Sequence, residues 1–139
     1  MPDEKIKFGV IRQKVLIPNS SPEKVYKAFL SSREHAAFTD SPAKISARKG
    51  TKFTAWDGYI TGRNISLVKG KKIEQEWRTT EFPDGYPDSL LKISLKKKGE
   101  GTELSMIQTK VPASQVKRYT EGWYESYWNP LKAYFERTD

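Results

Sequence analysis

The sequence predicts a single α+β domain in which helices lie on one face of an antiparallel sheet. Two patterns indicate this class. Apolar and polar residues alternate from Ala43 to Val111, and apolar residues recur every three or four positions after Pro112. The first pattern is typical of strands with one buried face, and the second of an amphipathic helix. A chain of 139 residues suits one domain, which we place at residues 1–139.

The first part of the chain is expected to form one strand followed by two short helices. Apolar residues share one phase of a strand over Ile6–Ile17. Ser21 followed by Pro22 suits an N-cap and the first residue of a helix, because proline lacks only an amide that would be unpaired there. Ser31 and Glu34 have the spacing of a capping box, which predicts the start of a second helix.

The middle of the chain is expected to add about six strands, which makes about seven in the sheet. Alternation of apolar and polar residues is interrupted at regular intervals by glycine-containing turn signals. These signals are Gly50, Asp57-Gly58, Gly70, Asp84-Gly85 and Gly99-Glu100-Gly101.

The end of the chain predicts a helix of about 20 residues that crosses the sheet. Its apolar stripe is largely aromatic, and proline in a helix interior removes one hydrogen bond, so Pro130 should kink the last turns. The stripe consists of Val116, Tyr119, Trp123, Tyr127, Leu131 and Phe135.

Composition removes several kinds of site from consideration. The chain has no cysteine, which excludes thiol catalysis and cysteine-ligated zinc, and its single histidine cannot form a multi-histidine metal site. We expect His35 to lie at the surface or at a helix end rather than to act as a general base. The sequence therefore predicts no metal, no cofactor and no enzymatic activity.

The charge of the chain is +8, and it is uneven, with +7 in residues 1–70 and +1 in residues 71–139. Such asymmetry fits either a face for an acidic partner or a lysine-rich solvated surface. The Lys96-Lys97-Lys98 run could contact phosphates, but most aromatic residues lie on core phases, which leaves few for base stacking. No run of about 20 apolar residues is present and no apolar signal follows Met1, so a cytoplasmic location is expected.

Motifs along nearly the whole chain resemble the Hsp-90 ATPase activator homologue family, specifically the C-terminal domain of its co-chaperone members. They occur in order from Ser21 to Trp123. They are Ser21-Pro22-Glu23-Lys24-Val25-Tyr26, Ala37-Phe38-Thr39, Pro42-Ala43, Gly50, Phe53, Asp57-Gly58, Gly62, Trp77-Arg78, Phe82-Pro83-Asp84-Gly85, Gly101-Thr102-Glu103-Leu104, Val111-Pro112 and Gly122-Trp123.

This resemblance implies the helix-grip fold of the START-like superfamily, a curved sheet around a long C-terminal helix with a cavity between them. It also implies a binding domain associated with a chaperone ATPase, and we expect a monomer. The basic first half of the chain suits an acidic chaperone surface, and its candidate contacts are Arg48, Lys49 and Lys52, which cluster in a turn between predicted strands. The alternative is a carrier of a small hydrophobic ligand with no chaperone role. Related helix-grip enzymes act on polyketides, so a pocket-based activity is a further alternative.

Ten residues on inward phases are the candidates for lining a ligand cavity. Buried amides need hydrogen-bond partners, so three inward glutamines suggest a cavity with polar contents, although they could instead bond to backbone. A filled core is the competing interpretation of the aromatic stripe. The candidates are Gln13, Gln75, Trp77, Leu91, Ile93, Met106, Gln108, Tyr119, Trp123 and Tyr127.

Overall fold

A computed structural model describes residues 6–136 and shows one antiparallel sheet with all helices on one face. The sheet has six strands in the order β1-β6-β5-β4-β3-β2, so β1 is paired with the last strand of the chain. The elements are β1 (Phe8–Pro18), α1 (Pro22–Leu30), α2 (Ser32–Thr39), β2 (Lys52–Ala55), β3 (Ile60–Val68), β4 (Lys72–Thr79), β5 (Ser89–Lys98) and β6 (Gly101–Pro112), followed by the C-terminal helix.

The expectation of about seven strands is wrong by one. Lys44 makes only an isolated bridge to Thr54, and the segment that follows is a loop. The amide of Asn64, which is fully buried, donates to the carbonyls of Ser46 at 2.8 Å and Arg48 at 3.0 Å. Those carbonyls therefore bond to a side chain rather than to a neighbouring strand, which explains why alternation there does not produce a strand.

Both short helices begin at the predicted N-caps. The Ser21 hydroxyl accepts a hydrogen bond from the Lys24 amide at 3.3 Å, and the Ser31 hydroxyl accepts one from the Glu34 amide at 3.2 Å. Each bond satisfies one of the amides that a helix leaves unpaired at its start.

The C-terminal helix runs over residues 116–136 and widens in the middle. It consists of α3 (Val116–Trp123), a π-helical turn (Tyr124–Trp128) and α4 (Asn129–Glu136). The Asn129 amide donates to the carbonyl of Tyr124, five residues earlier. Pro130 has no amide to donate, so the irregularity that it was expected to cause takes the form of a π turn. The extra residue places both Tyr127 and Trp128 in the core, at 4% and 0% exposure.

Candidate functional site

One end of the sheet and the C-terminal helix enclose an aromatic cleft of about 210 Å³. The sheet and the β2–β3 turn supply one wall, and successive turns of the helix supply the other. The lining residues are Trp56, Tyr59, Ile60, Trp77, Arg118, Tyr119, Gly122, Trp123, Ser126 and Tyr127.

Four of the ten residues proposed for a cavity line this cleft, and they are the aromatic residues of that set, Trp77, Tyr119, Trp123 and Tyr127. The other six are also buried, but they do not line it. Ligand binding by any of the ten stays a prediction. Those six residues are Gln13, Gln75, Leu91, Ile93, Met106 and Gln108.

Aromatic contacts fix the wall of the cleft. The Trp77 ring lies 5.4 Å from the Trp123 ring and 5.5 Å from the Tyr119 ring, centroid to centroid. Trp123 in turn lies 4.9 Å from Tyr127. Such contacts add to the stability that burial alone provides, so this wall is formed before any ligand arrives.

Two of the three inward glutamines connect the sheet to the helix rather than pointing into the cleft. Gln13 donates to the Thr120 carbonyl at 2.8 Å and accepts from the Trp128 indole at 2.6 Å. Gln108 accepts from the Trp123 indole at 2.9 Å and donates to the Ser89 hydroxyl at 3.0 Å. Both amides therefore have structural partners at each end.

Gln75 differs from the other two glutamines. Its amide nitrogen donates to Asn64 Oδ1 at 2.9 Å, while its oxygen is buried without a partner among the described residues. A buried acceptor without a donor is destabilising, and the Gln75 oxygen lies outside the cleft.

Trp56 enters the cleft from a turn with unusual backbone geometry. Trp56 and Asp57 have φ values of 53° and 58°, a left-handed conformation that non-glycine residues rarely adopt. The turn is held by the Asp57 amide, which donates to the Pro42 carbonyl at 3.0 Å. The buried Trp56 indole N–H faces the Tyr127 hydroxyl: burial raises the pKa of Tyr127, and the contact from Trp56 opposes that change. A strained backbone of this kind is a feature that clusters at binding sites.

Sequence reasoning missed Trp56, Tyr59 and the helix positions Arg118, Gly122 and Ser126 as lining residues. The helix positions repeat every four residues, one step before the aromatic stripe, so helical spacing could have identified them. Trp56 carries no such signal, because its direction depends on the left-handed turn.

His35 lies in the core beside the cleft, and the expectation of a surface position is wrong. It is 2% exposed; Nδ1 lies 2.8 Å from the Phe29 carbonyl and Nε2 lies 3.0 Å from the Tyr127 hydroxyl. A carbonyl only accepts, so Nδ1 carries the hydrogen, and Nε2 of the neutral ring accepts from the Tyr127 hydroxyl. Burial lowers the pKa of His35 below its usual value, although the Phe29 carbonyl opposes that change.

The mouth of the cleft is closed on one side by polar contacts to Glu81. The Tyr59 hydroxyl donates to the Glu81 carboxylate at 2.7 Å, and Arg118 donates to the same oxygen at 2.6 Å. Burial, followed by the bond to Glu81, raises the pKa of Tyr59, which stays protonated as a donor. Arg118 is thus an ion-paired cation at the edge of the cleft.

Gly122 widens the cleft on the helix side. A Cβ built at this position would meet no atom within 4 Å, beyond the helix backbone itself. Glycine in a helix interior costs about 0.5–1 kcal/mol relative to alanine. Gly122 therefore lowers the stability of the helix at a position where a side chain would project into open space.

The basic residues proposed as partner contacts are all exposed. Arg48 and Lys49 lie in the loop before β2, and Lys52 opens that strand opposite Arg63. Their role stays a prediction. By contrast, Lys96 and Lys98 both contact Glu103 at 3.4 Å, which partly neutralises the lysine run considered for phosphate binding.

Within residues 6–136, no group of three or more histidine, cysteine or acidic side chains could hold a metal ion. No helix in the same range is long and apolar enough to cross a membrane.

Comparison with solved structures identifies the fold. An HSP90 activator from Plasmodium falciparum superposes with a TM-score of 0.77 at 21% identity, covering 91% of this chain and 94% of the other. The Aha1 dimer from Colwellia psychrerythraea gives a TM-score of 0.77 at 12% identity, covering 94% and 99%. At these identities the likeness shows the fold alone, which is the helix-grip fold expected from the resemblance.

Comparison with sequences identifies the family. The mouse protein named activator of 90 kDa heat shock protein ATPase homolog 1 is 35% identical over 116 residues, 84% of this chain and 34% of the mouse protein. Its human counterpart is 34% identical over the same share. The chain therefore spans about a third of the length of these relatives. Since the family described as activator of Hsp-90 ATPase homologue 1-like proteins matches residues 19–136, the chain belongs to that family.

Proposed function

We propose that this chain is a non-enzymatic binding domain that docks onto an Hsp-90-class chaperone and changes the rate of its ATPase. Membership of the family over residues 19–136 carries the proposal, because the mouse and human relatives are named as activators of that ATPase. Those relatives are about three times as long, so the activity of this domain is a separate question.

Surface charge supports the docking step. Residues 1–70 have a net charge of +7, and Arg48, Lys49 and Lys52 are exposed with no acidic partner among the described residues. A positive surface steers encounters with an acidic one and orients the first contact.

A chaperone ATPase assay tests the proposal. Adding the chain to a purified Hsp-90-family chaperone should change the rate of ATP hydrolysis. The concentration of the chain that produces half of this change should rise when Arg48, Lys49 and Lys52 are replaced by serine. A control variant with Lys24, Lys97 and Lys117 changed to serine loses the same charge from exposed positions elsewhere. An unchanged ATPase rate at saturating chain, with no complex detected by sedimentation, would reject the chaperone role.

A second candidate function, binding of a small hydrophobic ligand, is supported by the aromatic cleft and by Gly122. Apolar concave sites with a few polar groups are the usual ligand sites of proteins. Native mass spectrometry of freshly purified protein should show an added mass that is absent after denaturation. Gly122→Leu, which projects a side chain into the cleft, should lose that adduct, whereas Ala133→Leu on an exposed position of the same helix should keep it.

A further inference from the structure

The outer face of the sheet, opposite the helices, has an apolar depression of about 290 Å³. Antiparallel sheets of this kind usually present polar side chains to water on that face. Here apolar side chains from three strands line the depression, namely Ile65 of β3, Leu90 of β5 and Ile107 of β6. Ile65 and Leu90 are 37% and 39% exposed. Exposed apolar residues that are grouped in this way mark an interaction site more often than single ones do.

A bulge in β3 contributes one side of the depression. The pairing with β4 passes from Asn64 directly to Ser66, so Ile65 is an extra residue in the strand. Asn64 is fully buried and Leu67 packs against the core, and two residues rather than one lie between these inward positions. Bulges redirect side chains and occur often beside functional sites. This bulge adds one apolar side chain to the outer face.

The same bulge holds the basic loop before β2 (residues 46–51) beside the depression. The side-chain amide of Asn64 donates to the carbonyls of Ser46 and Arg48. The backbone of Asn64 accepts from the Gly50 amide at 2.8 Å and donates to the Thr51 carbonyl at 2.9 Å. These four hydrogen bonds fix the position of the basic loop relative to the bulge.

Two like charges face each other at the edge of this surface. Lys52 and Arg63 are register partners across β2 and β3, and both are exposed. Like charges directly opposite one another destabilise a sheet. Arg63 also has Glu76 as its register partner on β4, yet neither cation forms an ion pair within residues 6–136. Both cations are therefore available to the carboxylates of a partner.

The charges around the depression favour an acidic partner. In the part of the chain that the structure describes, Arg48 and Lys49 also form no ion pair. Glu74, which lines the depression, is already held by two lysines. A complementary segment has carboxylates opposite the unpaired cations and a large apolar side chain opposite the depression.

We propose that the outer sheet face at Ile65, Leu90 and Ile107, together with the basic loop, is the surface that docks onto the Hsp-90-class chaperone. Its occupant is an acidic segment of the chaperone that inserts one large apolar side chain into the depression. The cations attract the segment, and the apolar contact then holds it. This inference rests on the chaperone-docking function proposed above, and it adds the surface used and the chemistry of the partner segment.

Two matched variants of the outer face test the apolar contact. Leu90→Thr removes an apolar side chain from the depression, and Leu16→Thr removes one from β1 outside it, where Leu16 is 47% exposed. Threonine suits strands, so both variants should fold. In the complex with a purified Hsp-90-family chaperone, Leu90→Thr should raise the dissociation rate constant roughly tenfold, because loss of a contact at the centre of an interface acts mainly on dissociation. Leu16→Thr should leave that constant unchanged.

Thiol protection locates the surface without removing any apolar side chain. The chain has no cysteine, so one introduced cysteine reports on one position. Thr109→Cys places a thiol in the lining of the depression, and Lys117→Cys places one at an exposed position of the C-terminal helix. Saturating chaperone should slow alkylation of the first thiol roughly tenfold, because the core of an interface excludes solvent and reagent. The second thiol should react at an unchanged rate, as followed by the mass of the chain.

The outcomes separate the docking surface from the function on which it rests. Faster dissociation of Leu90→Thr alone, with protection of the thiol in Thr109→Cys, supports the inference. A complex in which Leu90→Thr dissociates like wild type and Thr109→Cys is not protected would overturn the surface and leave the chaperone role in place. If no complex forms, both fail. Self-association of the free chain in sedimentation, lost in Leu90→Thr, would show that a second copy covers this face and would also overturn the inference.

Discussion

At the scale of the residue, Gly122 lowers the stability of the helix but keeps the cleft open. Alanine at this position meets no atom within 4 Å, so Gly122→Ala should raise the free energy of unfolding by about 0.5–1 kcal/mol. The added methyl group also narrows the cleft, so affinity for a probe such as naphthalene should fall. Urea unfolding and a binding titration measure the two effects. Ala133→Gly, at an exposed position of the same helix, should lower the free energy of unfolding and leave binding unchanged. A Gly122→Ala variant in which stability and affinity both rise, or both fall, would contradict this account.

His35 gives the fold a pH dependence of predictable sign. Burial lowers its pKa below the ordinary value of 6.5, so the unfolded chain binds more protons at mildly acidic pH than the folded chain does. The contribution to stability is full above about pH 6.5 and is lost as the pH falls toward the lower pKa of the folded state.

The free energy of unfolding should therefore fall between pH 7.5 and pH 5.5, by at most about 1.4 kcal/mol per pH unit. Urea unfolding at both pH values measures the difference. His35→Gln can keep donor and acceptor partners without titrating, so it should show a smaller difference. An equal pH dependence in wild type and His35→Gln would exclude His35 as the source.

At the scale of the element, the buried glutamines differ in whether they connect the sheet to the C-terminal helix. Gln108 connects the two, whereas Gln75 does not. Gln108→Leu leaves the buried Trp123 indole without an acceptor, which should lower the free energy of unfolding by about 1–3 kcal/mol. Gln75→Leu removes an oxygen that has no partner, so it should lower the free energy of unfolding by less than Gln108→Leu does. Thermal or urea unfolding of the two variants compares them directly. A larger cost for Gln75→Leu would indicate that its amide supports the sheet through Asn64.

The periodicity of apolar residues predicted the strands and helices well, but it did not predict which distant side chains contact each other. Alternation identifies an inward phase, and the caps at Ser21 and Ser31 fix where helices begin, because both signals are local in the chain. The contact of His35 with Tyr127 joins residues 92 positions apart, and nothing near either residue in the sequence reveals it. The π turn likewise depends on Pro130 within a packed helix, and it moves Trp128 into the core from a position outside the predicted stripe.

At the scale of the whole molecule, the charge is concentrated where it can act on a partner. The first half of the chain has a net charge of +7, and acidic residues elsewhere already pair with lysines, as Glu74 does with Lys72 and Lys92. Exposed pairs of this kind contribute little to stability. They do reduce the positive field of the later strands, which leaves Arg48 and Lys49 in the loop before β2, together with Lys52 at the start of that strand, as a more effective source of attraction.

The proposed chaperone complex should accordingly form more slowly as ionic strength rises. Attraction between exposed charges is screened beyond about 10 Å at 0.1 M salt and beyond about 3 Å at 1 M salt, so the association rate constant should fall while the dissociation rate changes less. Stopped-flow or surface-based kinetics from 0.05 M to 0.5 M salt measure both constants.

Replacing Arg48, Lys49 and Lys52 with serine should reduce the salt dependence of association, because it removes the charges that steer the encounter. The equally charged variant at Lys24, Lys97 and Lys117 should retain most of it. Equal losses in the two variants would mean that net charge alone attracts the partner, and that the loop before β2 is not where contact begins.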